Sequence, residues 1–277
     1  MTITTQRNGG ITEITLDRPE KRNAIDAGMI DGLRAAAEAV GADGSCRVVV
    51  LHGAGASFCA GLDMANFDDM VSGDLAGDSE SVRAALAERS PNGANRVQQL
   101  GWAWRELRVP VIAAVHGHAL GGGLNVALGA DIRIVAPDAK LGFVEVTWGL
   151  LPDMSGTQSL RRLVGPDRAK ELIMTGRTVD GSEAVRLGMA TEVAVDPLER
   201  ARELARAIAG HSPEAVRAVK AVIDRSAEMG EADGLALEAL ASQELLGSSN
   251  QMEAVMARLE GRAPVFDDPP VGAADPS

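Results

Sequence analysis

The stretch VHGHALGGGLNVALGADIRI, Val115 to Ile134, places three consecutive glycines, Gly121 to Gly123, at the head of an apolar run suited to a helix. Glycine costs about 1 kcal/mol relative to alanine in a helix interior, so the triplet needs a compensating use. One use is chemical. The first four N–H groups of a helix have no internal partner and carry the positive end of its dipole. Glycine lets a ligand atom reach them without meeting a Cβ. The other use is close packing against a neighbouring strand. The triplet by itself leaves both open.

Other arrangements that could do chemistry are weaker. GAGASF (53–58) follows an apolar run, but Phe58 stands where a dinucleotide fingerprint needs its third glycine, and no helical pattern follows. None of the four lysines follows a glycine, which excludes a Walker A loop, and no G-x-S-x-G elbow is present. His52, His116, His118 and His211, with Cys46 and Cys59, show no metal-ligand spacing. His116 and His118 read as structural.

The elements that must position the glycines follow from patterning. ITEITLD (11–17), RVVVLHG (47–53), VPVIAAVHG (109–117) and DIRIVA (131–136) read as strands. The last three are continuous apolar runs of the kind buried on both faces of a sheet. Ile30, Leu33, Ala37 and Val40 mark one face of a helix that stops at Gly41. Strand and helix alternate, which argues an α/β fold. Residues 68–96 are acidic and rich in Gly and Ser, a solvated excursion before a helix from about 94 to 107. From Asp180 to Gly261 the pattern is helical apart from a short strand at 191–195, and Ser212 with Pro213 makes a helix start. We expect a core over 1–195, a helical region over 196–262 and a flexible tail over 263–277.

Composition narrows the partners. Hydrophobic residues make up 45% and charged residues 24% of 277, with a formal net charge of −12. That charge disfavours nucleic acid and anionic lipid. No apolar run approaches the roughly 20 residues of a membrane span, and the N-terminus lacks the pattern of a secretion signal. Two cysteines make no disulfide framework, so a cytoplasmic setting is expected. An anionic ligand would need a local basic patch, and DRPEKRN (17–23) is the best candidate.

Beside these readings, the chain resembles the crotonase, or enoyl-CoA hydratase/isomerase, superfamily. The resemblance runs from LDRPEKRNAID (16–26) through FCAGLDM (58–64), HALGGGLNVALGADIRI (118–134) and GLLPDMSGTQSLRRLVG (149–165) to GRTVDGSEAVRLGMATEV (176–193), and on to Phe266. It implies a spiral of ββα units with C-terminal helices that build a homotrimer or homohexamer. It implies an acyl-CoA thioester as substrate, with no cofactor beyond that coenzyme A and no metal. In the family two peptide N–H groups clasp the thioester oxygen, and the matching positions are Leu62 and Gly122. Such donors stabilise a developing enolate by about 3–4 kcal/mol each, which would answer the question posed by the glycines.

The resemblance also implies carboxylates for proton transfer. Hydratases of the family carry a Glu three positions after the middle glycine and a second twenty further on; here these are Asn125 and Glu145. An amide cannot exchange a proton as a carboxyl does. Glu145, between Val144 and Val146, should have a raised pKa. Asp153, eight residues beyond, matches a catalytic Asp of the family's dienoyl-CoA isomerases; it could equally cap the helix that follows. The resemblance assigns coenzyme A contacts to Lys21, Arg22, Asn23 and Ala24, to Ala60 and Asp63, and to Phe266, which in relatives lies near the adenine of a neighbouring subunit. Asp267 replaces the basic residue relatives place next. These features favour double-bond isomerisation, with hydration of a trans-2-enoyl-CoA, or acyl-CoA binding without catalysis, as alternatives.

Overall fold

In ITEITLD, Thr12, Ile14 and Leu16 are buried and the residues between them are not, an alternation that becomes strand β2 (Ile11–Leu16). The computed structural model describes residues 2–63 and 86–269. The continuous runs form β3 (Val48–Gly53), β4 (Val111–Val115) and β6 (Ile132–Val135), and the short run near 191 forms β8 (Glu192–Val193). An additional strand, β1 (Ile3–Asn8), pairs antiparallel with β2 through a turn at Gly9–Gly10. The main sheet has the order β1-β2-β3-β4-β6-β8 and is parallel from β2 onward.

Both faces of this sheet are covered, as continuous apolar strands require. Val49, Leu51, Val111 and Ala113 face the larger core, with α1 (Ala27–Gly41) and α2 (Gln99–Glu106). Met29, Leu33, Ala37 and Val40 are the buried stripe of α1; Ile30 is only partly covered. Val48, Val50, Ile112, Ala114 and Ile134 face the other way, onto Ala201 and Ala205. Those two alanines belong to α7, which is defined below with the C-terminal helices.

A second sheet has only two short parallel strands, β5 (His118–Leu120) and β7 (Lys140–Gly142), and it carries α3 (Gly122–Leu128). Then come α4 (Gly156–Val164), α5 (Pro166–Thr175) and α6 (Gly181–Arg186). The remaining helices are α7 (Pro197–Ala209), α8 (Pro213–Ser226), α9 (Glu231–Leu245) and α10 (Ser249–Glu260). Ser212 caps α8 through the Ala215 N–H, with Pro213 in its first turn. The helix expected over 94–107 is shorter: Asn95 Oδ1 accepts from the N–H groups of Val97 and Gln98, and α2 starts at Gln99. Most of the acidic excursion falls at 64–85, outside the described residues.

The segment expected to be a loose tail is anchored over 263–269. Arg47 binds the Phe266 carbonyl and the Asp268 carboxylate, each at 2.8 Å. Asn250 and the Asp267 backbone exchange two hydrogen bonds, both at 2.9 Å. Residues 270–277 lie outside the described residues.

Candidate active site

The two halves of the site meet at one backbone bridge. Cys59 pairs with Ala119 as in a parallel ladder: the Cys59 N–H donates to His118 O at 2.8 Å, and the Leu120 N–H donates to Cys59 O at 3.1 Å. Three residues beyond this bridge on one arm lies Leu62, and three beyond on the other lies Gly122. A Cβ on Gly61 would sit 2.9 Å from Leu120 O and 3.9 Å from the Gly122 nitrogen, so the arms run in close contact. Gly61 has φ +96°, which suits glycine.

Among the described residues neither N–H group has a hydrogen-bond acceptor. Ile25 bridges to Leu62's strand by donating to Gly61 O at 2.7 Å and accepting from the Asp63 N–H at 3.0 Å. In a trans peptide the Leu62 N–H points opposite to Gly61 C=O, hence away from Ile25. Gly122 is the first residue of α3, where an N–H has no partner within the helix. Gly121 makes the turn into it with φ +49°. The triplet also serves the packing use, because a Cβ on Gly123 would lie 2.3 Å from Cys59 O.

Glu145 comes from a 3-10 turn, Glu145–Trp148, that follows β7. Its carboxylate faces the Gly121 position, where an added Cβ would be 3.4 Å from Oε1. Oε1 accepts from Asn125 Nδ2 at 3.3 Å, and Oε2 is buried with no hydrogen-bond partner among the described residues. Burial raises the Glu145 pKa, helped by the like charge of Asp153, while hydrogen bonds from the backbone and Asn125 oppose the rise. Of its flanking valines, Val144 is half-buried and Val146 is exposed.

Asp153 does not cap α4. It lies in a turn before the helix, and the N-cap is Ser155, at φ +74° and without a side-chain cap bond. Asp153 is exposed as a residue, yet the protein around its carboxyl desolvates it and raises its pKa. Met154 lines the Gly122 position, with Sδ 2.9 Å from where a Cβ would stand.

The basic segment is divided in its tasks. Arg18 is an internal clamp: it donates to Ala24 O at 2.7 Å and Asp63 Oδ2 at 3.0 Å, and pairs with Asp26 at 3.1 Å. Nothing in the spacing of DRPEKRN distinguishes this role from anion binding. Asn23 is fully buried and donates to Ala54 O and Ser57 O. The side chains of Asn23 and Asp63 are therefore committed within the protein. Lys21 and Arg22 are exposed, and the Ala60 N–H donates to Arg22 O, which lays this segment beside the Leu62 arm. Ala24 is buried in the same junction. Phe266 is elsewhere, held by Arg47 just before β3, whereas the site lies past the other end of that strand.

His116 bonds to Gly55 O and His118 to Ser57 Oγ, both structural. Cys59 is fully buried, which pushes its thiol up to about 12. Among the described residues no three His, Cys, Asp or Glu side chains are grouped to hold a metal.

The sequence model described as enoyl-CoA hydratase/isomerase matches residues 6–269. The chain belongs to the enoyl-CoA hydratase/isomerase family. It is 36% identical over 266 residues to the mouse mitochondrial enoyl-CoA hydratase domain-containing protein 2, covering 94% of this chain and 85% of that one. The structure of an enoyl-CoA hydratase from Bacillus anthracis superposes with a TM-score of 0.85 at 32% identity, over 97% of this chain and 100% of that one. One from Polaromonas sp. JS666 gives 0.83 at 28%, over 96% and 99%. The fold is thus that of the crotonase superfamily.

Proposed function

We propose that the protein shifts the double bond of an enoyl- or dienoyl-CoA, with Glu145 as the acid/base and the Leu62 and Gly122 N–H groups holding the thioester oxygen. The Glu145 carboxylate removes a proton next to the conjugated system, and the electron pair moves toward the thioester oxygen. The two N–H groups stabilise that enolate. Glu145, now protonated, returns the proton at the other end of the allylic system. Its raised pKa suits both duties.

The observation that carries this reading is the partner facing Glu145 from α3. It is the Asn125 amide, bonded to Glu145 at 3.3 Å, where a hydration mechanism would use a second proton-exchanging group. Asp153, raised in pKa and electrostatically coupled to Glu145, is the candidate for an auxiliary proton carrier. Hydration of a trans-2-enoyl-CoA is the second reading, favoured by the names of the relatives, which speak of enoyl-CoA hydratase. In both readings Lys21 and Arg22 meet the phosphates of coenzyme A, Ala24 and Ala60 border its path, and Phe266 meets an adenine across a subunit boundary. The chain would act as a homotrimer or hexamer in the cytoplasm.

A panel of 2-enoyl-, 3-enoyl- and dienoyl-CoA thioesters incubated in heavy water separates the readings by mass. Isomerisation exchanges protons at constant composition, and hydration adds one water. Bond migration faster than water addition is expected; efficient hydration with no migration would establish the second reading.

A further inference from the structure

We infer that Asn125 is a positioning residue that ties the Glu145 carboxylate, the peptide bearing the Gly122 N–H and the start of α4 into one unit, leaving Glu145 Oε2 as the proton-carrying oxygen. This rests on the acyl-CoA reading above for its catalytic meaning.

Asn125 is fully buried and every bond of its amide is assigned. Oδ1 accepts from the Gly156 N–H at 2.6 Å, which caps the first turn of α4 in place of an N-cap side chain. Nδ2 donates to Gly121 O at 2.9 Å and to Glu145 Oε1 at 3.3 Å. The backbone fixes which way round the amide lies, because a peptide N–H only donates and a peptide carbonyl only accepts. The NH₂ must therefore face Gly121, and its second hydrogen is offered to Glu145. The approach of α4 also demands a glycine, since a Cβ on Gly156 would lie 2.3 Å from Oδ1.

Two consequences follow for the chemistry. First, the carboxylate oxygens become inequivalent. Oε1 shares its charge with a donor, while Oε2 is buried with no partner among the described residues and keeps its basicity. Second, Gly121 C=O and Gly122 N–H belong to one peptide unit. That carbonyl accepts from both the Asn125 side chain and the Asn125 backbone N–H, at 2.9 and 3.0 Å. Donors on the carbonyl polarise the peptide and strengthen its N–H as a donor. One amide thus sets both the base and the oxyanion donor, a task no carboxylate at this position could perform while ionised.

Asn125→Asp keeps the size and the Gly156 acceptor but loses both donations; Asn125→Leu keeps the size and loses all three. Titration of the Glu145 carboxyl in the ligand-free protein, by infrared difference against Glu145→Gln, should move up by about one pH unit in both variants. That is the size of a hydrogen bond to a charged group. In the bound acyl thioester, the carbonyl stretch should move back toward its free-solution frequency, and kcat should fall more than KM rises. Unchanged Glu145 titration in whichever variant folds would overturn the inference. A wild type inert on every thioester, with the titration shift still present, would instead overturn the acyl-CoA reading and leave the tie between Asn125 and Glu145 standing.

Discussion

A carboxyl beside an amide and two unpaired N–H groups makes separable predictions. Glu145→Gln preserves shape but cannot accept a proton, so proton exchange on a bound thioester should fall about 10²–10⁴-fold with affinity nearly unchanged, measured by deuterium uptake and calorimetry. Gly122→Pro removes one N–H at a helix position where proline's φ is tolerated. A loss of about 10²–10³-fold in kcat is expected, and normal turnover would displace Gly122 from its role. Asp153→Asn removes the like charge that helps raise Glu145, so the acid limb of the rate profile should move to lower pH. Glu145 is legible in the sequence through the family resemblance, which implies an acid/base glutamate twenty residues beyond the position of Asn125. What could not be read is its environment, for the Gly121 backbone beside its carboxylate, the Asn125 amide on Oε1 and the nearby charge of Asp153 are all set by the fold. The bonds of Asn125 are equally invisible, since its partner Gly156 is thirty-one residues away.

The elements divide between those with a pattern long enough to read and those without. β3, β4 and β6 carry continuous apolar runs and α1 carries a clear stripe, so their existence follows from the residues. β1 was signalled by RNGG between two β-branched runs, a hairpin turn. β5 and β7 are three residues each, too short for any period, and they pair across about twenty residues of chain. Yet that pair carries α3. Its tight seat against the Cys59 arm predicts a stability effect. Gly123→Ala would drive a Cβ into Cys59 O, a backbone atom that cannot swing aside, so unfolding should be easier by about 1–3 kcal/mol. Gly122→Ala meets only the mobile ends of Ile25 and Met154 and should cost less. Urea midpoints of the two variants compare them directly.

For the molecule as a whole, the site weakens the fold it depends on. A carboxyl with a raised folded-state pKa holds its proton more tightly folded than unfolded, so its contribution to stability falls as pH climbs above the ordinary value of 4.5. Glu145→Gln should therefore melt higher than wild type at pH 8, with the gap closing toward pH 4. The C-terminal helices leave large apolar side chains open, with Leu235 66%, Leu246 73% and Leu259 78% exposed. Faces of this kind call for a partner. Sedimentation should show a species well above the 28.8 kDa of one chain at micromolar concentration. The overall fold class and the helical character of this third were readable from patterning, but which helix faces stay uncovered depends on packing among α8, α9 and α10.

The bridge between Cys59 and Ala119 makes the protein its own reporter of occupancy. The amides of Cys59 and Leu120 are locked into it, while Leu62 and Gly122, each three residues beyond the bridge, hold amide hydrogens with no acceptor among the described residues. In the empty protein those two hydrogens should trade with deuterated solvent much faster than their neighbours at the bridge. A non-reactive acyl thioester that seats its oxygen between them should slow both together. Paired protection at these two positions would reveal ligand seating in the absence of turnover.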